Sequence, residues 1–235
     1  MYGAMQEVVS RDRINMEDLE LILKLMKIDL HVHTSVSSCS SLAAVEYVYY
    51  AHTDKWPVLV TTNHHDSTTD ADYLTAECAR YGILYFPALE ITTPWGDFLI
   101  YGKDLSDFQS EGPFEEFPRD ILPRPDVAVV WAHPYSFMKS WEIESIREQA
   151  APYVDAVEVI NGKNMVRSGD TSNIMAMELS RMLKKPAVAG SDAHSPYRLF
   201  STWTEFEKPV RTYDDLVSSI KEGRVRLPDM PLQAQ

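Results

Sequence analysis

The sequence predicts a parallel, barrel-like α/β fold in one undivided domain, and three observations carry that prediction. Apolar runs of strand length recur along the 235 residues, and several are apolar on both faces, as strands covered by protein on both sides are. Helix-length segments alternate with them about seven times, the order expected of a parallel sheet. The chain is long for a small domain, but closed α/β barrels reach this length as single units.

The elements follow in order. The N-terminal stretch MYGAMQEVVSRDRINMEDLELILKLMK reads as a helical extension over residues 1–26. Its apolar patch is broken by Glu20 and Lys24, too short and too charged for a membrane span or a signal core. Strands are then expected at KIDLHVH, PVLVTT, ILYFPALEI, DFLIYG, VAVVWA, AVEVI and PAVAG, with RVRL as a last candidate. Helical segments between them are SLAAVEYVYYAH, TDADYLTAECARYG, KSWEIESIREQA, TSNIMAMELSRMLK and TYDDLVSSIKEG. Ser41, Thr69, Ser140 and Thr212 are candidate N-caps, because a hydroxyl there can accept from free first-turn N–H groups. Gly82 and Gly223 are candidate C-terminal stops. The longest interruption runs from Lys103 to Asp126 and holds Pro113, Pro118, Pro123 and Pro125; a loop of that length is expected to cover or flank a site. No repeat, linker or low-complexity tract divides residues 27–235, which read as one domain.

Composition excludes several classes. Apolar residues make up 45% and charged residues 24%, the balance of a chain with a full core, so disorder is not a contender. A net charge of −13 disfavours nucleic-acid partners, whose binding is driven by Lys and Arg releasing counterions, although a metal cluster can reverse the sign inside a cleft. The two cysteines, Cys39 and Cys78, form no CxxC and support neither a disulfide framework nor a cysteine zinc site. No segment has the roughly 20 consecutive apolar residues that spanning needs. A cytoplasmic protein without a membrane partner is expected.

The polar residues of interest fall at the strand ends. His31 and His33 are one residue apart in an extended run, so they share a face, where two imidazoles are costly to bury without a common purpose such as a metal ion. Asn63, His64, His65 and Asp66 follow PVLVTT, Glu90 comes near the end of ILYFPALEI, and His133 follows VAVVWA. Asn161 follows AVEVI, and Asp192 and His194 follow PAVAG. In parallel barrels these ends converge on one face, which would gather six of the seven histidines. Imidazoles mixed with carboxylates suit zinc, manganese or iron, whereas calcium and magnesium prefer oxygen throughout. The number of ligands exceeds what one ion needs.

The set DLHVHT, TTNHHD, PALEIT, AHPYS and GSDAHS, in this order, resembles the PHP (polymerase and histidinol phosphatase) superfamily of metal-dependent phosphoesterases from the first strand to about residue 200. That resemblance implies a distorted barrel of seven β/α units holding two or three divalent transition-metal ions. It implies that His31 and His33 bind a first ion with Glu90 and Asp192. Glu90 would bridge to a second ion, also bound by His133, and His64 and His194 would hold a third. Three positions depart from the family pattern. Ser37, Ser38, Cys39 and Ser40 lie where relatives place the remaining third-site ligand, unless Cys39 or a water substitutes. Asp97 in GDFLIYG stands where many relatives have a histidine, and Asn63 stands for the acid of the family's TDH.

The remaining polar residues have competing readings. His65 would point away from His64 and is a surface residue, a proton donor or an alternative ligand. Arg198, four residues past His194, would either grip a substrate phosphate with its fork or bridge the rim to a carboxylate; Lys163 is a similar candidate. Cys39 is expected to be a small buried residue and Cys78 a core one. His52 is explained by the helix dipole, and Tyr47, Tyr49 and Tyr50 by helix packing. The implied activity is hydrolysis of a small-molecule phosphomonoester by a metal-activated water, with His65 and Arg198 as catalytic candidates. The alternatives are a metal-binding regulatory module with weakened catalysis and, disfavoured by the acidic balance, a PHP-type nuclease.

Overall fold

A computed structural model describes residues 25–65, 69–167 and 171–229. Asp66 and all but the end of the expected N-terminal helix therefore lie outside the described residues. The strands are β1 (Met26–Ile28), β2 (Val58–His64), β3 (Leu84–Thr93), β4 (Gly96–Gly102), β5 (Val127–Trp131), β6 (Ala156–Asn161), β7 (Ala187–Gly190), β8 (Thr204–Phe206) and β9 (Val225–Arg226). The helices are α1 (Ala44–Thr53), α2 (Ala71–Arg80), α3 (Ser140–Ala150), α4 (Gly162–Arg167), α5 (Thr171–Leu183) and α6 (Tyr213–Lys221).

Strands β2 to β7 form one curled, half-barrel sheet in sequence order, and β1, β8 and β9 form a second, three-stranded sheet. Pairing is parallel for β2/β3, β5/β6 and β6/β7, but β4 is antiparallel to both neighbours. The expected alternation of strand and helix fails there for a local reason. Only Pro94 and Trp95 separate β3 from β4, whereas a parallel return needs a crossover of roughly a dozen residues, so the chain folds back as a hairpin. Gly96, with φ +99°, supplies a turn conformation that a side chain would strain.

KIDLHVH also divides. Its first residues pair antiparallel with β8, and the strand ends at Ile28. The following residues run between the two edges of the large sheet. Asp192 N–H donates to the His31 carbonyl at 2.8 Å and His33 N–H to that of Ala193 at 2.9 Å, on the β7 side. On the β2 side, Thr62 N–H donates to the Val32 carbonyl at 2.8 Å.

The large sheet is apolar on both faces because both are covered. Phe98, Ile100 and Trp131 pack with Ala176 and Leu179 of α5 on one side. Leu99 and Val130 pack with Leu216, Val217 and Ile220 of α6 on the other. Every residue of VAVVW is accordingly buried, as an unbroken apolar run requires.

Among the expected caps, Thr212 acts as one. Its Oγ1 accepts from Asp215 N–H at 3.2 Å while the Asp215 carboxylate accepts from Thr212 N–H at 2.9 Å. Ser41, Thr69 and Ser140 do not cap; the N-cap residues are Ala43, Asp70 and Lys139. Glu46 and Glu142 reach back to the backbone N–H of Ala43 and Lys139 instead, which leaves Ser41 to donate to the His194 carbonyl. Gly82 and Gly223 sit at φ +69° and +68° just past α2 and α6, as expected of stops. None of the described helices is long and apolar enough to cross a membrane.

Candidate metal centre

The strand ends bring the polar residues of six segments together. Because side chains alternate along an extended chain, His31 and His33 project to one side, and both are fully buried. Their Nε2 atoms lie 3.1 Å apart. Glu90, inside β3 and paired with Leu99, stands among the imidazoles with both oxygens engaged. Its Oε2 is 3.1 Å from His33 Nε2, 3.3 Å from His64 Nδ1 and 3.6 Å from His31 Nε2. Its Oε1 is 3.1 Å from His133 Nε2. Asp192 faces Glu90 across the same space: Oδ1 is 3.6 Å from the Nε2 atoms of His31 and His33 and 3.3 Å from His194 Nδ1. Its Oδ2 is 3.9 Å from His133 Nε2 and 3.5 Å from Lys163 Nζ.

This donor set fits divalent ions. Within His31, His33 and Asp192, and within His31, Glu90 and His133, one ligand atom of each residue lies within 4.8 Å of the others. A third such group joins His33, His64 and Cys39. Two imidazole nitrogens in near contact and two buried carboxylates converging on them are costly without a cation to share.

Charge within the cluster is set by competition between burial and neighbours. Burial opposes protonation of His31, but the carboxylates of Glu158, Asp192 and Glu90 outweigh it and hold its pKa well above the ordinary value. His133 is likewise pushed up to about 9, against burial, by its hydrogen bond to Glu90 and the Glu90 charge. Burial prevails at His33, His64 and His194, lowering each. Burial would raise both acids, yet His31, His133 and His33 bring Asp192 down to about 2. Glu90 is held well below the usual carboxylate range, chiefly by the charge of His31 and its hydrogen bonds to histidines. Both are therefore ionised at neutral pH, the state in which carboxylates ligate metals.

Sequence reasoning passed over Glu158, which lies inside the apolar strand AVEVI. Its Oε1 is 3.0 Å from His31 Nδ1, while Oε2 accepts from His133 N–H and Asn161 Nδ2, both at 3.0 Å. A carboxylate on one ring nitrogen places the proton there and leaves Nε2 as the ligating atom. The available signal was a lone acid in an otherwise apolar buried run. Gly190 was also missed: a Cβ there would lie 2.5 Å from His31 Cβ and 2.9 Å from Glu158 Oε1. Asp29, buried, accepts from Ser191 N–H at 2.8 Å and Phe200 N–H at 3.2 Å, tying the histidine segment to the β7 loop; burial raises its pKa to about 7. His133 and Asp192 adopt φ +25° and +51°, left-handed values that non-glycine residues take only where surroundings enforce them.

The other expected residues lie further out. His64 and His194 are half-buried, and their rings pack against His33 at 4.7 and 4.5 Å. His65, at φ +53°, turns toward the loop spanning Lys103 to Asp126, its Nδ1 3.3 Å from Ser110 Oγ. That loop thus flanks the centre. Arg198 is half-buried in a short 3-10 turn and makes no side-chain ion pair among the described residues. Asn161 is fully buried and donates to Glu158 and, at 3.3 Å, to Asp192. Asn63 is committed internally: its Oδ1 accepts from Thr34 N–H at 2.8 Å and Ser37 Oγ at 3.0 Å. Asp97 sits beside His133 in a small depression that Phe137 and Met138 also line; burial and the Glu90 charge raise its pKa.

Cys78 is a core residue and His52 occupies the last turn of α1, as expected. Cys39, expected to be buried, is exposed; burial of its thiol and the Glu90 charge raise its pKa. Within the turn formed by residues 34–40, Thr34 and Ser37 are buried while Ser38 and Cys39 form its exposed tip. Tyr47 packs inside with its hydroxyl on the Val60 carbonyl, whereas Tyr49 and Tyr50 are exposed.

Residues 170–225 match a family model described as PHP-associated. No curated protein matches the sequence. Among solved structures, PsfC from Pseudomonas syringae PB-5123 shares the fold at a TM-score of 0.63 and 19% identity, over 84% of this chain and 90% of that one. A two-domain protein from Bacteroides vulgatus ATCC 8482, named as containing a predicted PHP-like metal-dependent phosphoesterase, matches at 0.66 and 16% over 86% of this chain. The chain spans 65% of that protein, less than two thirds of its length. An amidohydrolase from Chromobacterium violaceum, solved with bound sulfate and no metal, matches at 0.56 and 17%, over 85% of this chain and 97% of that one. At these identities the likeness is one of fold; with the family match it supports a PHP-superfamily protein.

Proposed function

We propose, from a PHP-type fold that carries this centre, that the protein is a metal-dependent phosphoesterase acting on a small-molecule phosphomonoester. The observation that carries the reading is the position of Glu90, one oxygen toward His31, His33 and His64 and the other toward His133. A carboxylate so placed suits two adjacent cations, the arrangement that in-line displacement at phosphorus uses. His31, His33, Glu90 and Asp192 would hold one ion, Glu90 and His133 a second, and His64 with His194 a third, each zinc, manganese or iron. Such ions, when bound, acidify water and neutralise phosphoryl oxygens.

The chain's own residues supply the rest. Glu158 keeps the His31 ring oriented through Nδ1. Lys163, beside Asp192, and Arg198, on the turn past His194, bring positive charge to the rim where a phosphate would enter. His65, set by Ser110, is the proposed proton donor to the leaving oxygen. A second reading, a metal-binding regulatory module, is favoured by Asn63, whose amide oxygen is fully used in shaping the 34–37 turn. The test is a phosphoester panel assayed with zinc, manganese or iron supplied, beside His31→Ala. Turnover that His31→Ala abolishes supports the phosphoesterase; metal uptake without turnover on any substrate leaves the regulatory module.

A further inference from the structure

We propose that Cys39 is a metal ligand. Its thiolate, with His64 and beside His33, forms a sulfur-containing site at the mouth of the centre that selects zinc over manganese. The inference rests on the metal-centre reading above and assigns it a ligand and a selectivity. The three side chains each bring a ligand atom within 4.8 Å of the other two. A tetrahedral zinc site with Zn–S about 2.3 Å and Zn–N about 2.1 Å has edges of roughly 3.5 Å. Closure therefore asks for shifts of about 1 Å, within reach of an exposed side chain on a turn.

Two further observations point to a ligand there. His33 Nδ1 is buried with no hydrogen-bond partner among the described residues, an arrangement that buried polar atoms rarely keep without a role. The turn carrying Cys39 is also tied to the neighbouring histidines on either side of the cysteine. Ser37 Oγ accepts from His64 N–H at 3.0 Å. Ser40 Oγ lies 2.8 Å from the His33 carbonyl and 3.2 Å from that of His194. Cys39 is thus held between two serines whose partners are the backbone of three histidines. Binding displaces the thiol proton to solvent. A soft thiolate favours zinc, whereas manganese and magnesium favour oxygen. Cys78 cannot serve instead, because it is sealed in the core against α1 and β2.

Cobalt(II) reports the sulfur directly. The full chain, stripped by chelation and titrated with cobalt, is expected to develop a near-ultraviolet thiolate-to-cobalt charge-transfer band. Cys39→Ser is expected to lose the band and to retain one equivalent of metal fewer after gel filtration, while the visible cobalt bands of the inner ligands persist. Cys39→Asp is expected to hold zinc at least about tenfold less tightly and manganese more tightly than the wild type. Cobalt bound without a sulfur band, or a band that survives Cys39→Ser, overturns the assignment and leaves the inner centre standing. No cobalt bound at all overturns both.

Discussion

The inner histidines and the rim histidines are one residue type held by two different means. His31, His33 and His133 are buried, and they are positioned by the carboxylates of Glu158 and Glu90. His64, His65 and His194 are partly exposed, and serine hydroxyls of the turn over residues 37–40 and of the loop carrying Ser110 bond to their backbone or rings. The inner geometry is a property of strand ends and close packing, which deform at high cost. The rim geometry rests on hydrogen bonds within loops, which tolerate exchange of a ligand or a substrate contact. Cys39 lies on this rim, beside His64, whereas Asn63 is buried beneath it.

Substitutions can break this contrast, and the largest effect is expected at Glu158. Glu158→Gln removes the charge behind His31 and is expected to weaken metal binding about 10- to 100-fold, measured by competition with a chromophoric chelator. A loss no greater than that of Ser110→Ala, which touches His65 and the Gly112 carbonyl, would show that the inner centre is not held as described. Gly190→Ala places a Cβ 2.5 Å from His31 Cβ. Overpacking of this kind costs about 1–3 kcal/mol, so calorimetric stability and metal content are expected to fall together. Gly82→Ala, where a Cβ meets nothing within 4 Å but the backbone is left-handed, is expected to lower stability and leave metal content unchanged.

Metal uptake should also depend on pH in a defined direction. His133 is pushed up to about 9 and His31 is held well above its ordinary value, so in the stripped chain both carry protons at pH 7. Ligation needs neutral imidazole, so binding releases protons and apparent affinity rises as pH increases toward about 9. Titration calorimetry in buffers of different ionisation enthalpy measures this, and heats independent of buffer would contradict it. The smallest effect is expected far from the centre. Thr212→Ala removes the cap of α6 and should cost about 1 kcal/mol, with metal content and affinity unchanged.

Much of the centre was legible because its signals are local. The alternation in DLHVHT puts His31 and His33 on one side whatever the rest of the chain does. A polar residue just after an apolar run, as at His133 and Asp192, marks a strand end, whereas Glu90 lies inside β3. Thr212, with Asp215 three residues on, reads as a cap for the same reason. Where local rules competed, they misled: Ser41 and Ser140 suit capping, but Glu46 and Glu142 supply the backbone acceptors.

The metal-ligand residue types, their order and the alternation of apolar strands with helices were properties of the chain itself, since each depends on neighbours a few residues away. Only the tertiary structure decided that Cys39 lies at the mouth of the centre. It alone also brought Glu158 to His31 from 127 residues along the chain. Those outcomes depend on the path of the backbone and on distances between segments remote in sequence, which composition, period and spacing do not encode.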